Sequence, residues 1–347
     1  MDQQTSSRVT STLLDAAFHQ KVPSRQQFRI LSLDGGGLKG AFEAAFLAAI
    51  EDDLNVSVVD HFDLITGTST GSIIAMGLGL GLSAKQILEF YQSKGSRIFP
   101  YKESSEWLRR LAQYAATKHK PDGLQQELIT VFGDKKLGDS RKPLVIPSYN
   151  LDADDVYVFK TPHSRRFKRD WTVPAWKVCM ASCAAPTFLP TFTGVGGLRL
   201  IDGGVWANNP MMVGVVEAIS EFKQDPKNIS VLSISTTTEI KDRPDHLDHG
   251  GNVAWAGASV EVTFAGQSVC ALGQAQLLCG HDNVFRVDVP VPADAYSLDG
   301  PIKQSLISRA LVRSRKDMPT IEAKFFFGKA ERQYTPFNQP AMKECTP

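Results

Sequence analysis

The sequence predicts an α/β fold built on a mostly parallel central sheet with helices on both faces. Two observations support this prediction. Between residues 28 and 236, short apolar runs alternate with helical segments, as in chains built from βαβ units. The first two runs also lead through glycine-rich turns into helical segments, and such turns join a buried strand to a helix.

Two strand–turn–helix units come first along the chain. Residues 28–33 are a predicted buried strand that enters the turn at 34–37. Apolar residues then recur at helical spacing, which predicts an amphipathic helix. They are Phe42, Ala45, Phe46, Ala49 and Ile50. Residues 62–66 are the second predicted strand, and a helix of small residues starts at Ser72.

The later elements are predicted from the same signals. Ser83 is a predicted helix N-cap, and Pro210 occupies a favoured first helical position. Residues 100–142 are charged and helical in pattern, without a convincing strand. Further strands are predicted over 143–146, 156–159, 198–201 and 229–236, and a further helix over 174–182.

The composition is that of an ordinary globular protein. Hydrophobic residues make up 42% of the 347 residues and charged residues 22%, which allows a large core without stabilising disulfides. The 38 Lys and Arg residues nearly balance the 37 Asp and Glu residues, for a net charge of +1. This balance argues against a dedicated binder of nucleic acid polymers.

Neither a metal centre nor a membrane span is expected. The five cysteines include no C-x-x-C pair, so we predict reduced thiols, no metal site and no cofactor. Residues 1–21 are polar and lack the basic start and apolar run of a secretory signal. The longest apolar stretch, residues 72–82, has about half the length of a membrane span. We therefore expect a soluble protein whose membrane contact is peripheral.

The turn at residues 67–71 has the sequence Gly-Thr-Ser-Thr-Gly, a G-x-S-x-G motif. In a nucleophile elbow, the serine lies on a sharp strand-to-helix turn, and Gly67 and Gly71 would relieve the crowding there. The predicted strand before the motif and the predicted helix after it fit this geometry. Ser69 is therefore a candidate nucleophile, and a glycine-flanked structural turn is the alternative.

The turn at residues 34–40 has the sequence Asp-Gly-Gly-Gly-Leu-Lys-Gly. Successive glycines ahead of a helix N-terminus allow backbone N–H groups to stabilise an oxyanion or bind phosphate. Lys39 either adds positive charge there or is an ordinary solvated lysine. Gly35, Gly37 and Gly40 also match a dinucleotide-binding fingerprint, with 56–60 as its second strand and Asp60 as its acidic residue.

A third glycine-rich motif, Asp202-Gly203-Gly204, follows the predicted strand at 198–201. An aspartate between a strand end and two glycines can turn into a cleft and accept a proton there. Because a free aspartate has a pKa near 4, it needs a desolvated position to act as a base near neutral pH. An Asx turn or a helix cap is the alternative.

In their order along the chain, the motifs at 34–40, 67–71 and 202–204 resemble the oxyanion loop, the nucleophile elbow and the Asp-Gly-Gly signature of patatin-like phospholipases. The resemblance covers about residues 28–236 and includes segments 181–188 and 202–210. It implies a modified α/β-hydrolase fold that releases fatty acids from phospholipids with a Ser–Asp dyad and no histidine. The implied residues are Ser69 and Asp202 for the dyad, Gly35, Gly36, Gly37 and Thr70 for the oxyanion hole, and Lys39, Gly40, Gly67, Gly71, Gly203 and Gly204 as support.

Within the family, the glycine-rich loop and residues 77–83 resemble the bacterial branch. That branch includes antiphage effectors, which cyclic oligonucleotides switch on. The resemblance implies a cytoplasmic enzyme with a cyclic di- or trinucleotide activator, self-association on activation, and phospholipid substrates at the inner membrane. We divide the chain into an N-terminal segment (1–27), a catalytic core (28–236), and a C-terminal part of the same domain (237–347) that is a candidate regulatory elaboration.

Two further features leave alternatives open. His246, His249 and His281 follow Asp202, so chain order also allows an α/β-hydrolase esterase with a Ser–Asp–His triad. A cationic run between residues 163 and 171 is interleaved with aromatic residues and is a candidate for contacting anionic lipid headgroups or binding nucleotide phosphates. Its alternative is a solvated loop. The cationic residues are Arg165, Arg166, Lys168 and Arg169.

Overall fold

The computed structural model describes residues 27–98, 117–240, 243–293 and 295–337. Nine strands lie in this part of the chain: β1 (Phe28–Leu33), β2 (Leu64–Gly67), β3 (Leu144–Asn150), β4 (Asp155–Lys160), β5 (Leu200–Asp202), β6 (Ile229–Ile234), β7 (Thr238–Ile240), β8 (Val284–Val287) and β9 (Pro290–Pro292). Seven of them form one sheet in the order β4-β3-β2-β1-β6-β8, with β5 also paired to β3. β7 and β9 form a separate two-stranded sheet.

The main sheet is mostly parallel, as the sequence predicts. β1 at its centre runs parallel to β2 and β6, β3 continues the sheet parallel to β2, and β8 is parallel to β6. β4 and β5 are antiparallel to β3. Because the carboxyl ends of parallel strands meet at one edge, the turns after β1 and β2 lie side by side there.

The described helices cover both faces of the sheet, which confirms the predicted architecture. They are α1 (Gly40–Leu54), α2 (Thr70–Gly79), α3 (Ala84–Ile98), α4 (Asp122–Phe132), α5 (Ala175–Cys183), α6 (Gly204–Ala207), α7 (Met211–Ser220), α8 (Asn252–Cys279) and α9 (Gln304–Phe325). Among these, no helix has both the length and the hydropathy needed to cross a bilayer.

Alternate side chains of β1 show how the two faces are filled, because successive residues of a strand point to opposite sides. Leu31 and Leu33 belong to a large buried cluster that includes residues of α1 to α5 and of α9. Phe28 and Ile30 belong to a second cluster that includes residues of α7 and α8. Every residue of β1 is buried, so this strand is the centre of both cores.

Three stretches differ from what the sequence predicts. Residues 58–61 form a short 3-10 helix, so no strand covers 56–60. The four-residue helix α6 is too short to leave a periodic signal, and it separates Asp202 from the helix that follows. β8 adds an edge strand to the main sheet. Residues 1–26 and 99–116, which include most of the N-terminal segment and part of the predicted helical stretch, lie outside the described residues.

Candidate active site

Ser69 lies on a strained turn between β2 and α2. Its φ of 53° and ψ of −122° place it in a region that L-residues rarely adopt. The turn is so tight that a Cβ on Gly67 would lie 2.2 Å from the carbonyl oxygen of Gly71. A Cβ on Gly71 would lie 2.4 Å from the carbonyl oxygen of Leu33. The two glycines of the motif are therefore sterically required, as in a nucleophile elbow.

The backbone of Ser69 is held on both sides. Its N–H donates to Oγ of Ser182 at 3.0 Å, and the Ser182 hydroxyl in turn donates to the carbonyl oxygen of Pro147 at 2.7 Å. The Ser72 hydroxyl donates to the Ser69 carbonyl oxygen at 2.6 Å. These bonds fix the strained turn against α5 and β3, and the Ser69 side chain remains partly exposed.

Asp202 ends β5 and faces Ser69. The N–H of Gly204 donates to Oδ1 of Asp202 at 2.7 Å, and the Ser69 side chain lies near enough to lower the pKa of Asp202. Burial raises this pKa from 3.8 to about 6, and the Gly204 N–H and the Ser69 side chain partly oppose the rise. The carboxylate is thus ionised at neutral pH but more basic than a solvent-exposed aspartate.

Gly203 allows this approach of β5 to β3. A Cβ on Gly203 would lie 2.4 Å from the carbonyl oxygen of Pro147, a backbone atom that cannot easily move. β5 pairs antiparallel with β3 so that Asp202 lies opposite Ser148. The Asp-Gly-Gly motif is therefore packed against β3, the strand whose Pro147 carbonyl oxygen also accepts the hydrogen bond from Ser182.

The glycine loop after β1 passes directly over the elbow. A Cβ on Gly35 would lie 3.3 Å from Cβ of Ser69, so the loop and the serine are in close contact. The N–H of Gly35 donates to the carbonyl oxygen of Asn208 at 3.0 Å, which removes this N–H from the expected oxyanion donors. Gly36, Gly37 and Thr70 remain candidates, and Thr70 opens α2, where the first N–H groups lack helical partners.

Close contacts also explain the other glycines of this loop. A Cβ on Gly36 would lie 2.0 Å from Oγ1 of Thr236, and one on Gly37, whose φ is 59°, would lie 2.2 Å from the Leu298 carbonyl oxygen. A Cβ on Gly40 would lie 2.2 Å from Oγ1 of Thr70. The adjacent Lys39 is buried, so its alternative as a solvated lysine is wrong.

An ion pair below the glycine loop was not predicted from the sequence. Nη1 of Arg286, on β8, donates to Oδ1 of Asp34 at 2.8 Å, and its Nη2 donates to Oδ2. The Asp34 N–H donates to Oε1 of Glu43 at 2.8 Å. Burial raises the pKa of Glu43 well above its usual value, and the nearby Asp34 charge adds to the rise. The sequence signal for this network was Glu43, a charged residue within the otherwise apolar first turns of α1.

The histidines do not form a triad with Asp202 in the described part of the chain. His61, His119 and His163 contact Gly328, Asp299 and Glu217, respectively. His249 and His281 are exposed, and the His246 side chain lies outside the described residues. The dinucleotide-binding fingerprint requires a second strand over 56–60, but Asp60 lies in a 3-10 helix and forms an ion pair with Lys329.

The cationic run lies on an exposed loop after β4. Arg165, Arg166, Lys168 and Arg169 are all exposed. Arg166 forms an ion pair with Glu221, and the Arg165 guanidinium lies 5.8 Å from the centre of the Phe337 ring. Among the described residues, no group of three or more His, Cys, Asp or Glu side chains is arranged to hold a metal ion.

Comparisons with known proteins identify similar chains. A family profile described as patatin-like phospholipase matches residues 31–215. A cGAMP-activated phospholipase of Escherichia coli is 33% identical over 62% of this chain and 64% of its own length. One from Pseudomonas aeruginosa is 33% identical over 75% of this chain and 78% of its own length. A cUMP-AMP-activated phospholipase of Escherichia coli is 31% identical over 63% of this chain and 68% of its own length. The match to the first relative thus covers less than two thirds of that protein.

Proposed function

Because this chain belongs to the patatin-like phospholipase family, we propose that it is a serine lipid-acyl hydrolase with a Ser69–Asp202 dyad. The observation that carries this proposal is the position of Ser69 on a strained elbow beside the buried Asp202 carboxylate, whose pKa the Ser69 side chain lowers. A strained serine on an elbow, next to a desolvated acid, has the geometry of an activated nucleophile. The substrate is an ester of a membrane phospholipid.

In the first half of the reaction, Oγ of Ser69 attacks the ester carbonyl while Asp202 accepts the hydroxyl proton. The N–H groups of Gly36, Gly37 and Thr70 stabilise the negative charge that develops on the carbonyl oxygen. The tetrahedral intermediate collapses to an acyl-serine, and the proton on Asp202 passes to the departing alcohol. In the second half, Asp202 takes a proton from water while the water oxygen attacks the acyl-serine; the new intermediate then expels Oγ of Ser69, which regains the proton from Asp202, and the fatty acid leaves.

The dyad is preferred over a Ser–Asp–His triad for a geometric reason. In a triad, the imidazole lies between the serine and the acid, whereas here the Ser69 side chain is itself near enough to Asp202 to lower the pKa of that carboxyl group. The half-buried His119 and the buried His163 already bind carboxylates elsewhere. Single replacements of His249 and His281 by glutamine should therefore change activity only modestly.

We further propose that a cyclic di- or trinucleotide switches the enzyme on in antiphage defence. The support is similarity to relatives that are named cGAMP-activated and cUMP-AMP-activated phospholipases. An unregulated phospholipase would attack the membrane of its own cell, so a default-off state is advantageous. The enzyme would act in the cytoplasm and peripherally at the inner membrane, and the activator must bind the active conformation or assembly more tightly than the resting one.

Within this proposal, residues 28–236 are the catalytic core and residues 237–347 contribute regulation. Arg165, Arg166, Lys168 and Arg169 are the candidate phosphate ligands, since exposed guanidinium and ammonium groups can pair with phosphate oxygens. Glutamine at all four positions should weaken activation by cGAMP or cUMP-AMP. Glutamine at the exposed Arg315 and Lys316 is the control. If the variant with glutamine at all four positions of the run is activated as strongly as this control, the run is excluded as the nucleotide site.

The central experiment measures fatty acid release from mixed phospholipid vesicles, with and without cGAMP or cUMP-AMP. Wild type should release fatty acid in the presence of an activator, and Ser69→Ala should not. Circular dichroism should show that the variant is folded. Wild-type turnover by folded Ser69→Ala would overturn the proposed nucleophile. Full activity without either nucleotide, together with no binding by calorimetry, would leave a constitutive lipase.

A further inference from the structure

A cleft of about 360 Å³ lies against α5 and the chain segment that follows it. Its wall is largely apolar and includes Trp176, Met180, Leu189 and Phe192. The rings of Trp176 and Phe192 meet edge to face, with centres 6.4 Å apart. This volume is at the lower end of the range for small-molecule pockets, which are lined mainly by hydrophobic and aromatic side chains.

The backbone connects this cleft to Asp202 in two places. Ala184 lines the cleft, and its carbonyl oxygen accepts the N–H of Asp202 at 3.0 Å. Phe192 exchanges two backbone hydrogen bonds with Leu200, at 2.8 and 2.9 Å, only two residues before Asp202. The wall and the proposed base are therefore parts of one hydrogen-bonded unit.

A third connection leads to Ser69. Trp176 and Met180 lie on α5, the helix whose Ser182 accepts the Ser69 N–H. The charged lining residue is Lys177, whose Nζ lies 5.4 Å from the centre of the Trp176 ring. The cleft is thus a largely apolar surface whose lining residue Ala184 is joined to Asp202 by a backbone hydrogen bond, near the place where a long apolar part of the substrate has to lie.

We propose that this cleft binds the fatty acyl chain of the ester whose carbonyl Ser69 attacks. This inference rests on the proposed function and names the part of the substrate that the cleft selects. Each methylene that becomes buried should raise kcat/KM about fourfold, the equivalent of about 0.8 kcal/mol, until the cleft is full. The enzyme should therefore prefer long-chain to short-chain esters.

The test compares p-nitrophenyl dodecanoate with p-nitrophenyl butanoate, in the presence of cGAMP or cUMP-AMP. Phe192→Ala and Trp176→Ala should each lower the dodecanoate-to-butanoate ratio of kcat/KM by about tenfold, the loss expected when roughly two methylenes lose their contacts. Because the ratio compares two esters on the same variant, an effect of the substitution that is common to both esters cancels. Phe222→Ala is the matched control, because Phe222 is a half-buried phenylalanine that packs against Phe28 on the other face of the sheet. The dodecanoate-to-butanoate ratio of Phe222→Ala should match that of wild type.

A binding measurement separates this inference from the proposed function. Dodecanoate should bind the Ser69→Ala protein in calorimetry, and it should bind Ser69→Ala/Phe192→Ala at least about tenfold more weakly. An unchanged ester ratio in folded Phe192→Ala and Trp176→Ala, or unchanged dodecanoate affinity, would overturn the acyl-chain cleft. Failure of wild type to hydrolyse either ester would instead overturn the proposed function, and the binding measurement would still decide the cleft.

Discussion

Replacing Asp202 with asparagine should abolish hydrolysis and, at neutral pH, stabilise the fold. Asparagine is nearly isosteric with aspartate, and its carbonyl oxygen can still accept the N–H of Gly204. It cannot take a proton from Ser69, so turnover is lost. Because burial raises the pKa of Asp202 from 3.8 to about 6, the ionised carboxylate is unfavourable in the folded state, and the amide removes that penalty.

The size and the pH dependence of this gain follow from the pKa. A rise from 3.8 to about 6 corresponds to about 3 kcal/mol, at about 1.4 kcal/mol per pH unit. Between these two values, the folded state binds more protons than the unfolded state, so stability falls as pH rises. The penalty is complete above about pH 6 and absent below about pH 4. The stabilisation of Asp202→Asn should therefore be on the order of 1–3 kcal/mol at neutral pH and disappear in acid.

Urea denaturation of wild type and Asp202→Asn, at about pH 8 and about pH 4, measures this difference. Vesicle assays on the same samples measure the lost activity. Asp152→Asn is a suitable control, because Asp152 is an exposed aspartate that pairs with Arg199. A destabilised Asp202→Asn protein at both pH values, or an equal gain at both, would refute the claim that desolvation makes Asp202 basic.

Three further predictions follow from the same geometry. The kcat/KM for ester hydrolysis should rise through a single ionisation near pH 6, as Asp202 loses its proton; a flat pH profile would contradict this. Gly71→Ala should destabilise the protein by about 1–3 kcal/mol or more, because the new Cβ would meet the Leu33 carbonyl oxygen. Gly266→Ala, on an open part of α8, should leave stability equal or slightly higher in the same urea assay. Arg286→Met should cost about 3–5 kcal/mol, since it leaves the buried Asp34 charge unpaired; a loss below about 1 kcal/mol in urea denaturation would show that the pair is unimportant.

The elbow and the Asp-Gly-Gly turn could be predicted because their requirements are local. A side chain at Gly67 or Gly71 would clash with backbone atoms that lie a few residues away or on the adjacent strand, so the motif itself carries the signal. The strands before Ser69 and Asp202 and the helix after Ser69 could be predicted for the same reason, because their sequence signals are local. The antiparallel direction of β5 could not be predicted, because it depends on pairing with β3 across a long stretch of chain.

Features that depend on distant partners were missed for the same reason. The Gly35 N–H was expected to face an oxyanion, but it donates to Asn208, a residue brought there by tertiary packing. Arg286 lies 252 residues from Asp34, and nothing in the local sequence around either residue predicts their pairing. Val58–His61 form a 3-10 helix in place of the strand that the dinucleotide-binding alternative required, and apolar residues alone did not distinguish the two structures.

The three buried carboxyl groups near the glycine loop differ in a way that favours Asp202 as the base. Asp34 is neutralised by the guanidinium of Arg286. Burial raises the pKa of Glu43 well above its usual value, and within the described residues its Oε2 has no hydrogen-bond partner. Asp202 is stabilised by the Gly204 N–H and the Ser69 hydroxyl, without a cationic partner among the described residues.

This difference has a chemical consequence. Burial also raises the pKa of Asp34, but both of its carboxylate oxygens accept hydrogen bonds from Arg286, and the Glu43 carboxyl group accepts the N–H of Asp34. Asp202 is the carboxyl group that interacts with the Ser69 side chain, and its pKa of about 6 is close enough to neutrality for efficient proton transfer. Removing the Arg286 charge should therefore not create a second base next to Ser69, because Asp34 precedes the loop and faces β8. In Ser69-dependent hydrolysis, Asp34→Asn should lower stability and turnover together, whereas Asp202→Asn should separate them by raising stability as turnover is lost.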